Sequence, residues 1–288
     1  MKKQYEVLQW AFSFLKKHDC EENVANILLQ HHLKVSQEKL MLMMREELPE
    51  KVIIQFKEDI KQHALTGIPV QHLMGYTYFY GRKFTINENV LIPRFDTEIL
   101  VQHTIDTIRT TFNENEKITI VDVGTGSGII AITLALELPN AIIYATDISE
   151  VALEIAQTNA ANHNANVQFL NGNFLEPIIL KKVNPEVVVS NPPYIKELDR
   201  KTLSNTVKNF DPPIALFGGE DGLSAYKEIL SQIKLLKQSE CRIVCFEIGF
   251  DQAGDLVSLI KKYFPNSFIQ VLQDLNGKDR VISIKNLK

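Results

Sequence analysis

The chain has 288 residues, 45% of them hydrophobic, and a net charge of −4, enough for one large domain plus a small one and without the basic excess of a protein that lives on a phosphate backbone. Its three cysteines, Cys20, Cys241 and Cys245, form no C-x-x-C, which argues for packing in a reducing cytosol and against a zinc site or disulfide framework. The N-terminal "MKKQYEVLQW" has no apolar signal region, and no stretch approaches the roughly 18 apolar residues of a membrane span.

Residues 1–74 predict helices. Apolar residues recur at three- and four-residue spacing: Val7, Ala11, Phe14 and Leu15, then Val24, Ile27 and Leu28, then Leu40, Leu42 and Met43, then Val52, Ile53, Phe56 and Ile60. "MLMMREE" is expected to be the core face of a helix rather than a Met-rich binding surface. Residues 1–90 carry twelve Lys and Arg against eleven Asp and Glu, a mixed and solvated charge with no basic stripe. In "YTYFYGRKFTINENVLI", residues 76–92, aromatic and β-branched positions alternate with polar ones across Gly81. That pattern predicts a hairpin or extended linker. Pro93 ends it, and a helix follows with Asp96 or Thr97 as the expected N-cap.

From residue 117 the pattern becomes strand, helix, strand, helix. Strands are expected at 118–123, 141–146, 167–170, 186–190 and 241–247, and helices near 128–138, 150–163 and 222–237. In the last strand Cys241 and Cys245 are expected to share a face. Apolar runs without alternation predict a parallel sheet with helices on both sides. "SFIQVLQDLNGKDRVISIK" predicts two strands joined through Asn276-Gly277, an antiparallel hairpin that closes the sheet. The expected fold is therefore α/β: a doubly wound, mostly parallel sheet with an antiparallel C-terminal hairpin, preceded by a small helical bundle.

"VDVGTGSGII", residues 121–130, joins the first strand to a helix. A dinucleotide fingerprint, G-x-G-x-x-G, would need glycine at position 129, which is Ile. The observed G-x-G-x-G is typical of S-adenosyl-L-methionine binders, whose loop backbone meets the amino-acid part of the cofactor. Gly124, Thr125, Gly126, Ser127 and Gly128 are the candidates. Asp147 ends the second strand, where open α/β sheets bind ligands; its carboxylate can accept both ribose hydroxyl protons, or merely cap the next helix. In "NGNF", residues 171–174, Asn173 is a candidate for the adenine amino edge and Phe174 for its ring.

"VVSNPPYIKE", residues 188–197, stops a strand at Asn191, because proline removes a ladder donor and fixes φ. Three strand ends thus converge on one crevice. The chemistry suggests an acceptor with a planar NH₂ group, a poor nucleophile because its lone pair is delocalised. The Asn191 side-chain oxygen and the Pro192 carbonyl, held rigid by Pro192 and Pro193, can accept the two N–H bonds and turn the lone pair toward a methyl donor. Tyr194 offers a face for stacking. No separate general base is needed, since the nitrogen sheds its proton once it is positively charged. Alone, Asn-Pro-Pro-Tyr is only a rigid loop; the neighbouring strand ends give it this reading.

At these residues the chain resembles the HemK/PrmC protein-(glutamine-N5) methyltransferases of peptide chain release factors. The resemblance rests on "PVQHLMGYTYFYGRKFTINENVLIPRFDTE", "VDVGTGSG", "ATD", "VSNPPYI" and "ALFGGEDGLSAY". It implies a class I methyltransferase domain with a seven-stranded sheet (93–288), a helical substrate-docking domain (1–75) and a β-hairpin linker between them (76–92). It implies methylation of the Gln amide of the Gly-Gly-Gln loop in class 1 release factors; cysteine use, charge and hydropathy predict a cytoplasmic protein bound stably to neither nucleic acid nor membrane, with monomer as the default state. Cofactor contacts fall on 124–128, Asp147, Phe174 and Asn191, and substrate contacts on Asn191, Pro192, Pro193 and Tyr194. The chain departs from the family pattern at Phe95 and Asp96, within its Pro-Arg-x-x-Thr-Glu stretch, and at Asn173-Phe174, where Asp-Trp is common. Arg94 and Glu98 either line the substrate channel or fix the linker to the core, and Glu247 is expected to be structural. Two other readings compete. An amino methyltransferase acting on adenine or guanine in nucleic acid would need a basic recognition domain and base flipping. A noncatalytic nucleotide-binding or scaffold protein would not need both motifs intact.

Overall fold

The computed structural model describes residues 2–236 and 241–287. In chain order the first part carries β1 (Lys2–Lys3), α1 (Gln4–Lys17), α2 (Val24–Leu33), α3 (Gln37–Leu42), β2 (Glu47–Leu48), α4 (Glu50–Thr66) and α5 (Val70–Met74). A hairpin, β3 (Tyr76–Phe79) and β4 (Arg82–Thr85), and α6 (Phe95–Thr111) come next. The sheet region follows: β5 (Thr119–Val123), α7 (Ile129–Glu137), β6 (Ile142–Asp147), α8 (Glu150–His163), β7 (Val167–Asn171), α9 (Glu176–Leu180) and β8 (Val187–Ser190). Short helices α10 (Asn205–Phe210) and α11 (Pro213–Leu216) precede α12 (Ser224–Ile233), β9 (Ile243–Glu247), α13 (Ala253–Tyr263), β10 (Phe268–Gln273) and β11 (Asp279–Lys285). The expected helix over 222–237 is α12; its last residue, 237, lies outside the described residues. The amphipathic α13 falls on a stretch for which no element is expected from the sequence.

Two compact units divide the chain: residues up to Tyr76 with Ser204–Phe210, and Thr77–Leu203 with Asp211 onward. In the first, α1 buries Val7, Leu8, Ala11 and Leu15 and α4 buries Ile53, Phe56 and Ile60, the helical spacing that puts one stripe inward. They close on Val24, Ala25, Leu28 and Leu29 of α2 to form one core. The core face expected of "MLMMREE" is not there. Only Leu40 of α3 is buried, while Met41 is 64% exposed and Leu42 86%. The helix is six residues long, too short to turn a second residue inward, and the chain then swings back to pair β2 with β1.

The second unit is built on a seven-stranded sheet in the order β10-β11-β9-β8-β5-β6-β7. β9, β8, β5, β6 and β7 pair in parallel, and β11 and β10 are antiparallel. Along the central strands alternate residues enter opposite layers. Ile120, Val187, Val189, Ile243 and Cys245 face the core under α6 and α7. Val121, Val123, Val188, Val244 and Phe246 face the core under α12 and α13. Both faces are dry, which is why these strands read as unbroken apolar runs. Cys241 and Cys245 do not share a face: β9 begins only at Ile243, so Cys241 lies before the strand and packs into the opposite core. In the β3–β4 hairpin Tyr80 and Gly81 take φ of 50° and 72°, the left-handed pair that a tight hairpin turn requires.

Candidate active site

The glycine loop after β5 is a backbone device. Gly124 N and Thr125 N donate to the Thr146 carbonyl at 2.9 and 3.0 Å, tying the loop to the end of β6. Asp122, fully buried below, accepts from Thr125 Oγ1 (2.6 Å) and Ala131 N (3.1 Å). Burial pushes its carboxyl up to about 7 against the pull of these bonds. Gly128, at φ 83°, caps α7; a Cβ there would lie 2.9 Å from Ile132 Cδ1 and 3.0 Å from Ala156 Cβ. Gly124 and Gly126 also have positive φ, yet a Cβ on either meets no protein atom within 4 Å. Gly128 fits the loop to α8, whereas the other two leave space for something that is not protein.

That space is a cavity of about 510 Å³ at the carboxyl ends of β5, β6 and β8, where such sheets bind ligands. Gly124, Thr125, Gly126 and Ser127 line one side, with Asp147 beside them. Asn173 and Phe174 line another part, and Asn191 and Pro193 another. Gly128, Pro192 and Tyr194, also expected in the site, are not on its wall. Asp147 Oδ2 accepts from Gly126 N (2.8 Å) and Oδ1 from Ser149 N (2.9 Å), and burial raises its pKa. It does not cap α8; Ser149 does, accepting from Ala152 N. Phe174 is held at φ 49°, and the next residue is fixed by Leu175 N donating to Gln232 Oε1 at 2.6 Å.

Sequence reasoning missed one wall. Asn89, Val90 and Leu91 line the cavity because Ile86 and Val90 pack on Ala152 and Ile155 of α8. Their only sequence signal was the change from hairpin alternation to "NEN" before Val90.

The acceptor side is built from residues far apart in the chain. Asn191 Nδ2 donates to Thr97 Oγ1 at 3.2 Å, and Thr97 Oγ1 donates to Glu247 Oε2 at 2.7 Å. The expected N-caps of α6 are therefore misplaced. Arg94 occupies the cap position with no side-chain capping bond, Asp96 pairs with Arg280 at 3.2 Å, and Thr97 turns inward. Arg94 meets Asp211 at 3.2 Å. Glu98 accepts from Tyr80 N at 2.7 Å, so it fixes the hairpin to α6. Tyr194 packs into the core with its hydroxyl 3.5 Å from Glu247 Oε1; burial first, then the Glu247 charge, raises its pKa above the usual tyrosine range.

"ALFGGEDGLSAY", residues 215–226, clamps this loop. Ile195 N donates to Leu216 O and Gly218 N to Ile195 O, both at 2.9 Å. A Cβ on Gly218 would strike the Pro193 carbonyl at 2.5 Å, and one on Gly222 would collide with the Tyr194 carbonyl. Gln252 Nε2 donates to that same Tyr194 carbonyl at 2.9 Å. The rigidity expected of the two prolines is thus shared with a second loop.

A family model described as the PrmC N-terminal domain matches residues 6–75, and one described as the methyltransferase small domain matches residues 97–210. The chain is 44% identical to the release factor glutamine methyltransferase of Bacillus cereus, over 96% of this chain and 97% of that one. This chain belongs to the release factor glutamine methyltransferase family. Its relatives in Bacillus subtilis (42% identical, 98% and 97% covered) and Neisseria gonorrhoeae (38%, 92% and 93%) carry the same name. Among solved structures, the hMettl16 catalytic domain in complex with a MAT2A 3′UTR hairpin superposes with a TM-score of 0.56 at 13% identity, covering 82% of each chain. The N-terminal domain of human METTL16 in complex with SAH gives 0.51 at 15% identity, covering 84% of this chain and 85% of that one. At such identity the likeness is one of fold, the class I methyltransferase fold. The family's methyltransferase fold and the paired glycine-loop and Asn-Pro-Pro-Tyr geometry belong together in this chain.

Proposed function

We propose that this enzyme transfers a methyl group from S-adenosyl-L-methionine to the side-chain amide nitrogen, N5, of the glutamine in the Gly-Gly-Gln motif of class 1 peptide chain release factors. The observation that carries the chemistry is the anchored amide of Asn191. Its nitrogen is occupied by Thr97 Oγ1, so its oxygen is the free end on the cavity wall.

The cavity fits the cofactor on its own terms. Gly124 and Gly126 leave open space where side chains would stand, and Asp147 brings a carboxylate to the wall. In this reading the loop 124–128 holds the amino-acid part, with Gly128 acting through the loop's seating on α8. Asp147 accepts from the ribose hydroxyls, Phe174 packs on the adenine ring, and Asn173 meets the adenine edge. When bound, the cofactor supplies an electrophilic methyl on a sulfonium. Asn191 Oδ1 accepts one amide N–H of the substrate glutamine, and the Pro192 carbonyl, from just behind the wall that Asn191 and Pro193 form, is the proposed acceptor of the other. Those two bonds would turn the nitrogen lone pair toward the methyl; the S–CH3 bond would break as the N–CH3 bond forms, leaving a neutral thioether, and the then positively charged nitrogen would shed its proton to solvent. Pro193 and the 215–226 clamp hold these acceptors still, so little reorganisation is needed during transfer. Tyr194, packed beneath the loop, supports the acceptor side from its core face.

Residues 1–75 dock the release factor, 76–92 link, and 93–288 perform the transfer. A monomer is the default state proposed for the enzyme. A net charge of −4 supports a protein substrate without stable attachment to nucleic acid or membrane, in the cytoplasm.

Methyl-labelled cofactor offered with purified class 1 release factors, and separately with ribosomal RNA and DNA, tests the reading by mass spectrometry. Label on the glutamine of the Gly-Gly-Gln peptide is expected. Label on nucleic acid alone would keep the Asn191 chemistry and replace the partner.

A further inference from the structure

Glu247 is 2% exposed at the end of β9. Among the described residues no Lys, Arg or His forms an ion pair with it; nearby Arg280 pairs with Asp96 and Asp274. A buried carboxylate without a cation is costly, and an apolar side chain would fill the same volume more cheaply. Glu247 nevertheless sits between two members of Asn-Pro-Pro-Tyr: it accepts from Thr97, which holds Asn191, and it faces the Tyr194 hydroxyl. Its backbone carbonyl is fixed as well, accepting from Tyr226 Oη at 2.7 Å.

We infer that Glu247 and Thr97 are positioning residues that set which way round the Asn191 amide sits. This inference rests on the acceptor role proposed for Asn191. A primary amide can turn over and exchange its oxygen and nitrogen with almost no change of shape. Only one orientation accepts a substrate N–H; the other presents N–H to N–H and repels it. A threonine hydroxyl has one proton. With the carboxyl 2.7 Å away and ionised, as it is above about pH 7, that proton goes to Glu247, because the ionised form has only lone pairs to offer. Thr97 Oγ1 is then left as an acceptor toward Asn191, and an acceptor is satisfied by Nδ2 rather than Oδ1. The directional chain Asn191 N–H to Thr97 O–H to Glu247 therefore points Oδ1 away from Thr97 and toward the acceptor. The carboxylate acts on Asn191 through Thr97 and also takes a hydrogen bond from the Asn191 side chain itself, so it need not touch the substrate.

Four substitutions test this, each read as turnover and as cofactor dissociation constant by calorimetry. Thr97→Val keeps the shape of the side chain and removes the relay; turnover is expected to fall about 10–100-fold, the effect of a misoriented group, with cofactor affinity within about two-fold of the wild type. Thr97→Ser restores the hydroxyl and most of the turnover. Glu247→Met lowers turnover as Thr97→Val does, while Glu247→Gln, which keeps an acceptor oxygen, recovers much of it. The decisive readout is the double variant. If Thr97 acts through Asn191, Thr97→Val costs nothing further once Asn191→Ala is present. Wild-type turnover in Thr97→Val, an equal further loss in the double variant, or a parallel loss of cofactor affinity would overturn the inference and leave the Asn191 role standing. Wild-type turnover in Asn191→Ala alone would remove the acceptor role itself, and the positioning role with it.

Discussion

The two ends of the cavity are made in different ways. The cofactor end is local: Asp122, Thr125 and Ala131 lie within ten residues of one another, and Gly126 reaches Asp147 across one strand–helix–strand unit. The acceptor end is assembled from afar. Thr97 and Asn191 are 94 positions apart, and Thr97 and Glu247 are 150 apart. A loop that must wrap a fixed small molecule can be encoded by spacing along the backbone. A side-chain amide that must be held one way round needs support from behind, and that support arrives on α6 and β9. In the proposed mechanism the first end binds and the second activates, so substitutions should divide between them.

The largest expected effect lies at the acceptor end. Asn191→Ala should reduce turnover by about 10³-fold, the scale seen when one preorganised polar contact to a reacting group is removed, while cofactor affinity changes little; steady-state rates beside calorimetry check this. At the other end, Asp147→Ala should weaken the cofactor by about 10–100-fold, equivalent to about 1.4–3 kcal/mol, with a smaller effect at saturation; an unchanged dissociation constant would take Asp147 off the ribose. The glycine loop gives a finer division. Gly128→Ala should lower stability by about 2–4 kcal/mol, combining left-handed strain with contact on Ile132 and Ala156. Gly124→Ala incurs only the strain, about 1–2 kcal/mol, and places its methyl where the cofactor belongs. Urea midpoints and calorimetry on the two variants should therefore rank them in opposite orders.

The smallest expected effect concerns pH. Burial raises the Glu247 carboxyl from 4.5 to about 7, opposed by the Thr97 bond, with Asp96 pushing it up and Arg280 and a hydrogen bond from Asn191 pulling it down. The folded state thus binds this proton more tightly than the unfolded chain. Stability from this group is greatest below pH 4.5 and declines as pH climbs through about 7. Glu247→Gln removes that slope, so the variant should gain on the wild type in urea unfolding between pH 5 and pH 8 (roughly the window between the two protonation limits). Parallel curves would contradict the assignment.

The same division explains what the sequence showed. The doubly wound sheet, its antiparallel closing hairpin and the glycine loop were legible because each depends on neighbours: apolar runs, Asn276-Gly277, G-x-G-x-G. Asn191 was legible because two prolines mark a strand's end. Thr97 was misread as a possible N-cap because its local position, in the first turn of a helix, looks like capping; its true partner is on a strand 150 residues away. Glu247 looked structural for the same reason. Met41 and Leu42 fitted a helical stripe, but a stripe predicts burial only where the helix is long enough to present a face, and α3 is not. Asn89–Leu91 lay inside the family-like linker stretch but carried no chemical signal of their own; packing of Ile86 and Val90 on α8 brought them to the wall.

The central claim of the proposal is that binding and activation are separate jobs of different residues lining one cavity. The most direct measurement is a double-mutant cycle: single-turnover methyl transfer to a release factor at subsaturating cofactor, in the wild type, Asp147→Ala, Asn191→Ala and the double variant. Separate jobs predict that the two losses add within about 0.5 kcal/mol. A coupling of 1 kcal/mol or more, at the scale of residues acting as one unit, would show that the two ends do not divide the work.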